Sequence, residues 1–127
     1  MISSLEYRIT ESWFSLKNQQ RVLILGAGRQ GAETVEIASA MVRQGVNLVI
    51  MGFIDDKSTA AFVNGHPVLG GQDKAIELLK KNPETKMITA IGNPEARMQA
   101  VNRYEDLGYD FTNLPPCKAN ILQHMQV

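Results

Sequence analysis

Two groups of residues in this chain are spaced for chemistry. The first is Gly26-Ala27-Gly28-Arg29-Gln30-Gly31, with the spacing G-x-G-x-x-G. It follows the strand-forming run Arg21-Val22-Leu23-Ile24-Leu25 and precedes residues 32–42, whose apolar side chains recur at helical spacing. Strand, glycine turn and helix in that order make a phosphate cradle. Gly26 allows the tight turn, Gly28 lets the backbone approach a ligand, and Gly31 lets the helix pack close to the strand. The free N–H groups of the first helical turn, together with the helix dipole, favour an anion there. Taken alone, such a loop reads equally as a tight strand–helix turn with no ligand. The second group is Asp55-Asp56-Lys57, which closes the apolar run Leu48–Ile54. Asp55 falls about two dozen positions after Gly31, near where a dinucleotide fold places an acid on the ribose hydroxyls. A pair of carboxylates sharing one proton is disfavoured, because neighbours on an extended segment point to opposite sides.

Other reactive side chains are isolated. His66 has no surrounding His, Cys or acid pattern of metal-ligand spacing. The single cysteine, Cys117, has no CxxC partner or basic cluster near it, so a nucleophile is not expected and an internal disulfide is excluded. The expectation is therefore no catalytic residue and no metal.

Composition narrows the class. At 127 residues, 44% apolar and 20% charged, the chain reads as one globular domain with a single core. Its 13 basic and 13 acidic residues cancel, which argues against a dedicated nucleic-acid binder. No apolar run approaches a membrane span, and the N-terminus lacks the pattern of a signal peptide, so the expected location is cytoplasmic.

The elements that must position the glycine loop and the acids follow from periodicity. Residues 1–20 read as an extension: Ser3 with Glu6 as a capping box, then Leu5, Ile9, Trp13 and Leu16 on one face of a helix over about 4–16. That helix packs across the domain or pairs two chains as a homodimer. Residues 21–114 read as the domain itself, and 115–127 as a tail opened by Pro115-Pro116. Strands are expected over about 21–25, 47–54, 86–91 and 109–114, and helices over about 30–44, 72–81 and 94–107. In the last helix Met98, Val101 and Leu107 are expected to face inward, with Pro94 in its first turn. Residues 58–71 read as a loop or small hairpin turning at Asn64-Gly65. The near-continuous apolarity of 48–54 suits a strand buried on both faces. The fold class is thus α/β, an open parallel Rossmann-like sheet with helices on both faces. The ends of three strands, at Gly26, Asp55 and Gly92, should converge on one crevice.

Four motifs in order, VLILGAGRQG, GFIDD, VNGHPVLGG and AIGNPEAR…LGYDFTNL, resemble the N-terminal domain of bacterial sugar O-acyltransferases. That family includes the sialic acid O-acetyltransferases and UDP-4-amino-sugar N-acetyltransferases of the NeuD/PglD type. The resemblance covers about residues 21–119. It implies a Rossmann-like domain that binds a nucleotide-sugar but cannot transfer an acyl group alone. The implied binding residues are Gly26, Ala27, Gly28, Arg29, Gln30, Gly31, Asp55, Asp56, Lys57, Gly92 and Asn93, with the glycine loop at the phosphates and the acids at the nucleoside. The first three motifs also resemble segments of polyprenyl sugar-phosphate transferases and membrane-linked nucleotide-sugar dehydratases; the fourth favours the acyltransferases.

Three departures are visible. The family usually reads G-x-G-G-H-G, and Arg29-Gln30 stand here in place of Gly-His. The family continues from NLIHPSA into a left-handed β-helix that binds acetyl-CoA, supplies the catalytic histidine and forms the trimer; this chain reads NLPPCKANI. The family also starts at the first strand, without a helix over 4–16. The reading is a UDP-sugar-binding domain related to polysaccharide biosynthesis, with no cofactor of its own, since acetyl-CoA would need the β-helix. The alternatives are an NAD(P)-binding domain of an oxidoreductase or nucleotide-sugar-modifying enzyme, for which the only proton donors are His66, His124 and the tyrosines, and a non-catalytic interaction module of the same fold.

Overall fold

The computed structural model describes residues 19–114. The expected helix over 4–16, its role in a dimer, and the tail 115–127 lie outside the described residues. Six strands and three helices follow one another as β1 (Gln20–Leu25), α1 (Arg29–Arg43), β2 (Leu48–Ile54), β3 (Phe62–Val63), β4 (His66–Gly70), α2 (Gln72–Lys81), β5 (Lys86–Thr89), α3 (Pro94–Asp106) and β6 (Asp110–Phe111). They form one sheet in the order β3-β4-β2-β1-β5-β6. All neighbours are parallel except β3, which pairs antiparallel with β4.

Strand β1 lies centrally because it is apolar on both faces: Val22, Leu23 and Ile24 are fully buried. Its alternation divides the core. Leu23 and Leu25 join Ile54, Met87, Ala75 of α2, and Ala100 and Tyr104 of α3 on one face. On the other face Val22 packs with Ala38 and Met41 of α1, and Ile24 with Val35 and Phe53. The chain leaves β1 toward β2 in one direction and leaves β5 toward β6 in the other. Crossovers of one hand must then put α1 on the opposite face from α3, as observed. Strands β1 and β5 stay paired in the sheet, but the connections that leave them diverge to opposite faces, and a crevice lies at the carboxyl ends of the strands there.

Most element boundaries fall within two residues of expectation. The segment 58–71 does more than expected. Asn64 and Gly65 both take positive φ (49° and 80°), the signature of a tight hairpin turn between β3 and β4. Strand β4 then also joins β2 in parallel, Phe53 opposite Val68. Gly52 admits it, since a Cβ there would stand 2.5 Å from the Pro67 carbonyl oxygen. Strand β6 is shorter than expected, pairing only Asp110 and Phe111 with Lys86 and Met87. The inward face of α3 also differs. Met98 is exposed, whereas Ala100 and Tyr104 are buried; Leu107 packs against the core as expected. No helix among the described residues is long and apolar enough to cross a membrane.

Candidate functional site

The glycine loop is built by three different constraints. Gly26 has φ 110°, and a Cβ there would meet the Ala90 carbonyl oxygen at 3.0 Å. Gly31 lies against the loop itself: its Cβ would stand 2.1 Å from the Gly26 carbonyl oxygen and 3.1 Å from the Phe53 ring. Gly28 faces open space, with nothing within 4 Å of an added Cβ. The first backbone bond of α1 runs from the Ala32 N–H to the Gly28 carbonyl at 2.9 Å, and no side chain caps the helix. The amides of Arg29, Gln30 and Gly31 therefore stand at an uncapped helix start that carries no acidic residue in its first turn.

Strand ends expected to converge do so. Gly26, Gly28, Arg29, Gln30, Glu33, Asp55, Ala90, Ile91 and Gly92 line one cleft of about 600 Å³. Gln30 reaches across it, its Oε1 lying 3.9 Å from where a Cβ on Gly92 would be. Arg29 is turned out to solvent beside Glu33, at 3.6 Å. A second lobe of about 630 Å³ shares Gly26, Asp55 and Ile91 with the first and extends toward α2 and α3. Leu25, Ile54, Ala96 and Ala100 give it apolar surface, and Asp56, Lys57, Gln72, Gln99 and Arg103 give it polar groups.

The two acids point to different elements, as neighbours on an extended segment should. Asp55 Oδ2 accepts from the Ala27 amide at 2.9 Å, and Oδ1 accepts from the amides of Lys57 at 2.8 Å and Ser58 at 3.0 Å. It ties the glycine loop to the turn after β2. Asp56 Oδ1 accepts from the Gln72 amide at 2.9 Å, at the start of α2. Its Oδ2 accepts from Arg103 Nη2 of α3 at 3.1 Å. Gly71 makes room for this, since a Cβ there would stand 2.2 Å from Asp56 Oδ1. Arg103 also lies over the Tyr104 ring, 5.2 Å from its centroid. Tyr104 is fully buried and its hydroxyl has no hydrogen-bond partner among the described residues. Burial, and then the Asp56 charge, raise its pKa, opposed by Arg103.

Asn93 serves α3: its Oδ1 accepts from the Ala96 amide at 2.9 Å, with Pro94 next to it at the helix start. His66, on β4, pairs with Ser39 of α1 at 3.1 Å, away from the crevice residues. No cluster of His, Cys, Asp or Glu among the described residues could hold a metal ion. Of the binding residues implied in the sequence, Ala27, Gly31 and Asn93 line neither lobe of the crevice. The sequence reading missed Gln72, Gln99 and Arg103. Gln99 and Arg103 stand four apart, hence on one face of α3, but nothing in the sequence says which face meets the crevice.

A largely parallel sheet whose connections diverge beside a glycine-rich strand–helix turn defines a Rossmann-like domain, and a solved structure of this fold, UDP-D-quinovosamine 4-dehydrogenase from Vibrio fischeri, matches at a TM-score of 0.58 over 84% of this chain and 86% of that one, at 18% identity. The chain belongs to the family of PglD N-terminal domains, whose model matches residues 21–104. Two further structures are similar at 26% identity. The acetyltransferase domain of PglB from Neisseria gonorrhoeae FA1090 matches over 71% of this chain and 41% of that one, with a TM-score of 0.50. A histidine-to-asparagine mutant of perosamine N-acetyltransferase from Caulobacter crescentus, solved with CoA and GDP-perosamine, matches over 69% of this chain and 39% of that one, with a TM-score of 0.54. The chain thus spans about two fifths of these acetyltransferase chains. No match was found among curated proteins.

Proposed function

We propose that this domain binds a nucleotide-sugar, with the diphosphate at the start of α1 and the nucleoside in the lobe beside Asp56 and Lys57. The observation that carries the reading is the uncapped start of α1 opening, at Gly28, into a cleft lined from the ends of β1, β2 and β5. Amides at such a helix start bind phosphate oxygens directly. Family membership, and the nucleotide-sugar in the perosamine N-acetyltransferase structure, support the same ligand class. Asp55 then acts mainly by holding the Ala27 amide and the turn after β2 in place, because its oxygens already accept three N–H groups. On this reading the domain holds the acceptor nucleotide-sugar of a cytoplasmic sugar acyltransferase used in polysaccharide biosynthesis. Acetyl-CoA and catalysis belong to a β-helix domain.

Titration calorimetry tests it. UDP-sugars should bind more tightly than NAD(H), and NADP(H) most weakly, because its 2′-phosphate would face two carboxylates. Gly28→Val should abolish nucleotide binding without unfolding the sheet, since its side chain meets open space in the protein. Wild-type binding of NAD(H) with UDP-sugars silent, or undiminished binding by Gly28→Val, would overturn the reading. Silence from every nucleotide would favour the interaction module instead.

A further inference from the structure

We infer that the flank of α1 that carries Ile37 is the seat of the chain's own residues 4–16, held there as a helix beside α1. This goes beyond the nucleotide reading and does not depend on it. Hydrogen bonds mark one flank of α1. Ala32 and Ser39, two turns apart, face the hairpin: the Asn64 side-chain amide donates to the Ala32 carbonyl at 3.1 Å, and Ser39 pairs with His66 at 3.1 Å. That flank is closed by the hairpin. Gln30 and Ile37 are also two turns apart and share the opposite flank. Gln30 reaches toward Gly92, just past β5, so this flank looks over β1 toward β5. Ile37 on it is 46% exposed, although it stands in the middle of α1.

The two faces of the sheet are unequally covered. On one, Leu23 and Leu25 of β1 pack under residues of both α2 and α3. On the other, α1 is the only helix among the described residues, and it lies over β1 and β2. The ground beside it is apolar: Ile88 of β5 clusters with Val22, Ala38 and Met41, and Leu114 packs against that cluster. The chain ahead of β1 holds a segment suited to this ground. Its stripe of Leu5, Ile9, Trp13 and Leu16 needs an apolar surface. Only residues 17–19 separate it from β1, so its end lies no farther than about 14 Å from Gln20. Gln20 itself is fixed: its backbone amide donates to the Asn47 carbonyl and its side chain to the Glu84 carbonyl, each at 3.2 Å. The segment therefore stays over the central strands, where α2 and α3 already hold the other face. As a helix, residues 4–16 span about 20 Å, the length of the six residues of β1. Joined to the start of β1, that helix runs opposite to the strand, as α1 does, and brings Ile9 and Trp13 level with Ile37.

Trp13 is the single tryptophan of the chain, so its fluorescence reports on this segment alone. The full chain is compared with Ile37→Glu, the milder Ile37→Ser, and Met98→Glu, which puts the same charge on α3, across the sheet. Ile37 and Met98 are both exposed, so the variants should fold, and a melting curve checks this. In the wild type, Trp13 emission should be blue-shifted from that of the urea-unfolded chain, shielded from acrylamide, and unchanged on dilution. Ile37→Glu should move the emission to the red and raise quenching toward the unfolded value. Ile37→Ser should do so in part, and Met98→Glu not at all. If Ile37→Glu does not fold, Ile37→Ser and the wild-type dilution series decide. The inference is overturned by a wild-type Trp13 as quenched as in urea, by shielding that the folded Ile37 variants leave intact, or by equal exposure in Met98→Glu. Shielding lost on dilution, as the mass by light scattering falls from dimer to monomer, would give the seat to a second copy and overturn it as well.

Discussion

Three glycines in one short motif answer to three different forces, and their substitutions should separate accordingly. Gly31→Ala places a methyl group 2.1 Å from a backbone oxygen that cannot rotate away, so α1 must shift from β1. A loss of about 1–3 kcal/mol, typical of overpacking, is expected in urea denaturation. Gly28→Ala meets nothing, and φ at this position is −87°, so stability should stay within about 0.5 kcal/mol of wild type. Comparable losses from both would show that the loop is not held as described. Tyr109 gives a second test at this scale. Burial pushes its pKa up to about 12, and its hydroxyl donates to the Ala75 carbonyl. The folded state therefore favours the neutral phenol. Its stabilisation is complete below the unfolded pKa near 10 and is lost as pH rises toward 12. Tyr109→Phe should cost about 1 kcal/mol at pH 8 and flatten the fall in stability between pH 10 and 12, measured by denaturation across that range. The tight turn at Gly26 and the close packing at Gly31 were legible in the sequence because both belong to a strand–turn–helix unit. The roles of Asp55 and Asp56 were only half legible: their divergence follows from strand geometry, but their partners, up to 47 positions away, depend on how α2 and α3 pack.

Among the elements, the turn after β2 fastens two helices. Asp56→Ala frees the Gln72 amide at the start of α2 and releases Arg103 of α3. The helix-start bond is worth about 1 kcal/mol. The ion pair adds at most about 1 kcal/mol, because both side chains are substantially exposed. Gly71→Ala should displace the same carboxylate and cost a similar amount. Because the two substitutions break one set of contacts, the double variant should cost little more than either alone. Full additivity in urea denaturation would mean that the contacts are independent. Helix boundaries were readable from the sequence where caps are local, as at Asn93 and Pro94. The inward face of α3 was not, because its buried positions are Ala100 and Tyr104 rather than its larger aliphatic side chains. An alanine is chosen by the space the sheet leaves, which periodicity does not report. The pairing of β4 with β2 was likewise hidden, since the hairpin turn at Asn64-Gly65 declares only its antiparallel neighbour.

For the whole molecule, strand–helix alternation was enough to place α/β order and the crevice at the strand ends. The division of that crevice into two lobes was not legible, because it depends on side chains from α2 and α3 meeting the ends of β1 and β2. The proposed division of labour predicts that this chain alone does not turn over acetyl-CoA with any amino- or hydroxy-sugar nucleotide. A thiol-release assay on the purified protein checks it, and turnover above background would assign catalysis to this domain.

The outermost strands of the sheet carry a separate consequence. Both β3 and β6 contribute only two residues. A long, flat rim would invite another polypeptide to zip on by main-chain bonding, which is a common route to fibres and misassembly. Rims this short offer almost no template, so the sheet is closed to growth even though it is not closed into a barrel. Any protein that docks on this domain must therefore do so through side chains on its helices and loops, where recognition is selective, and not through the indiscriminate adhesion of backbone to backbone.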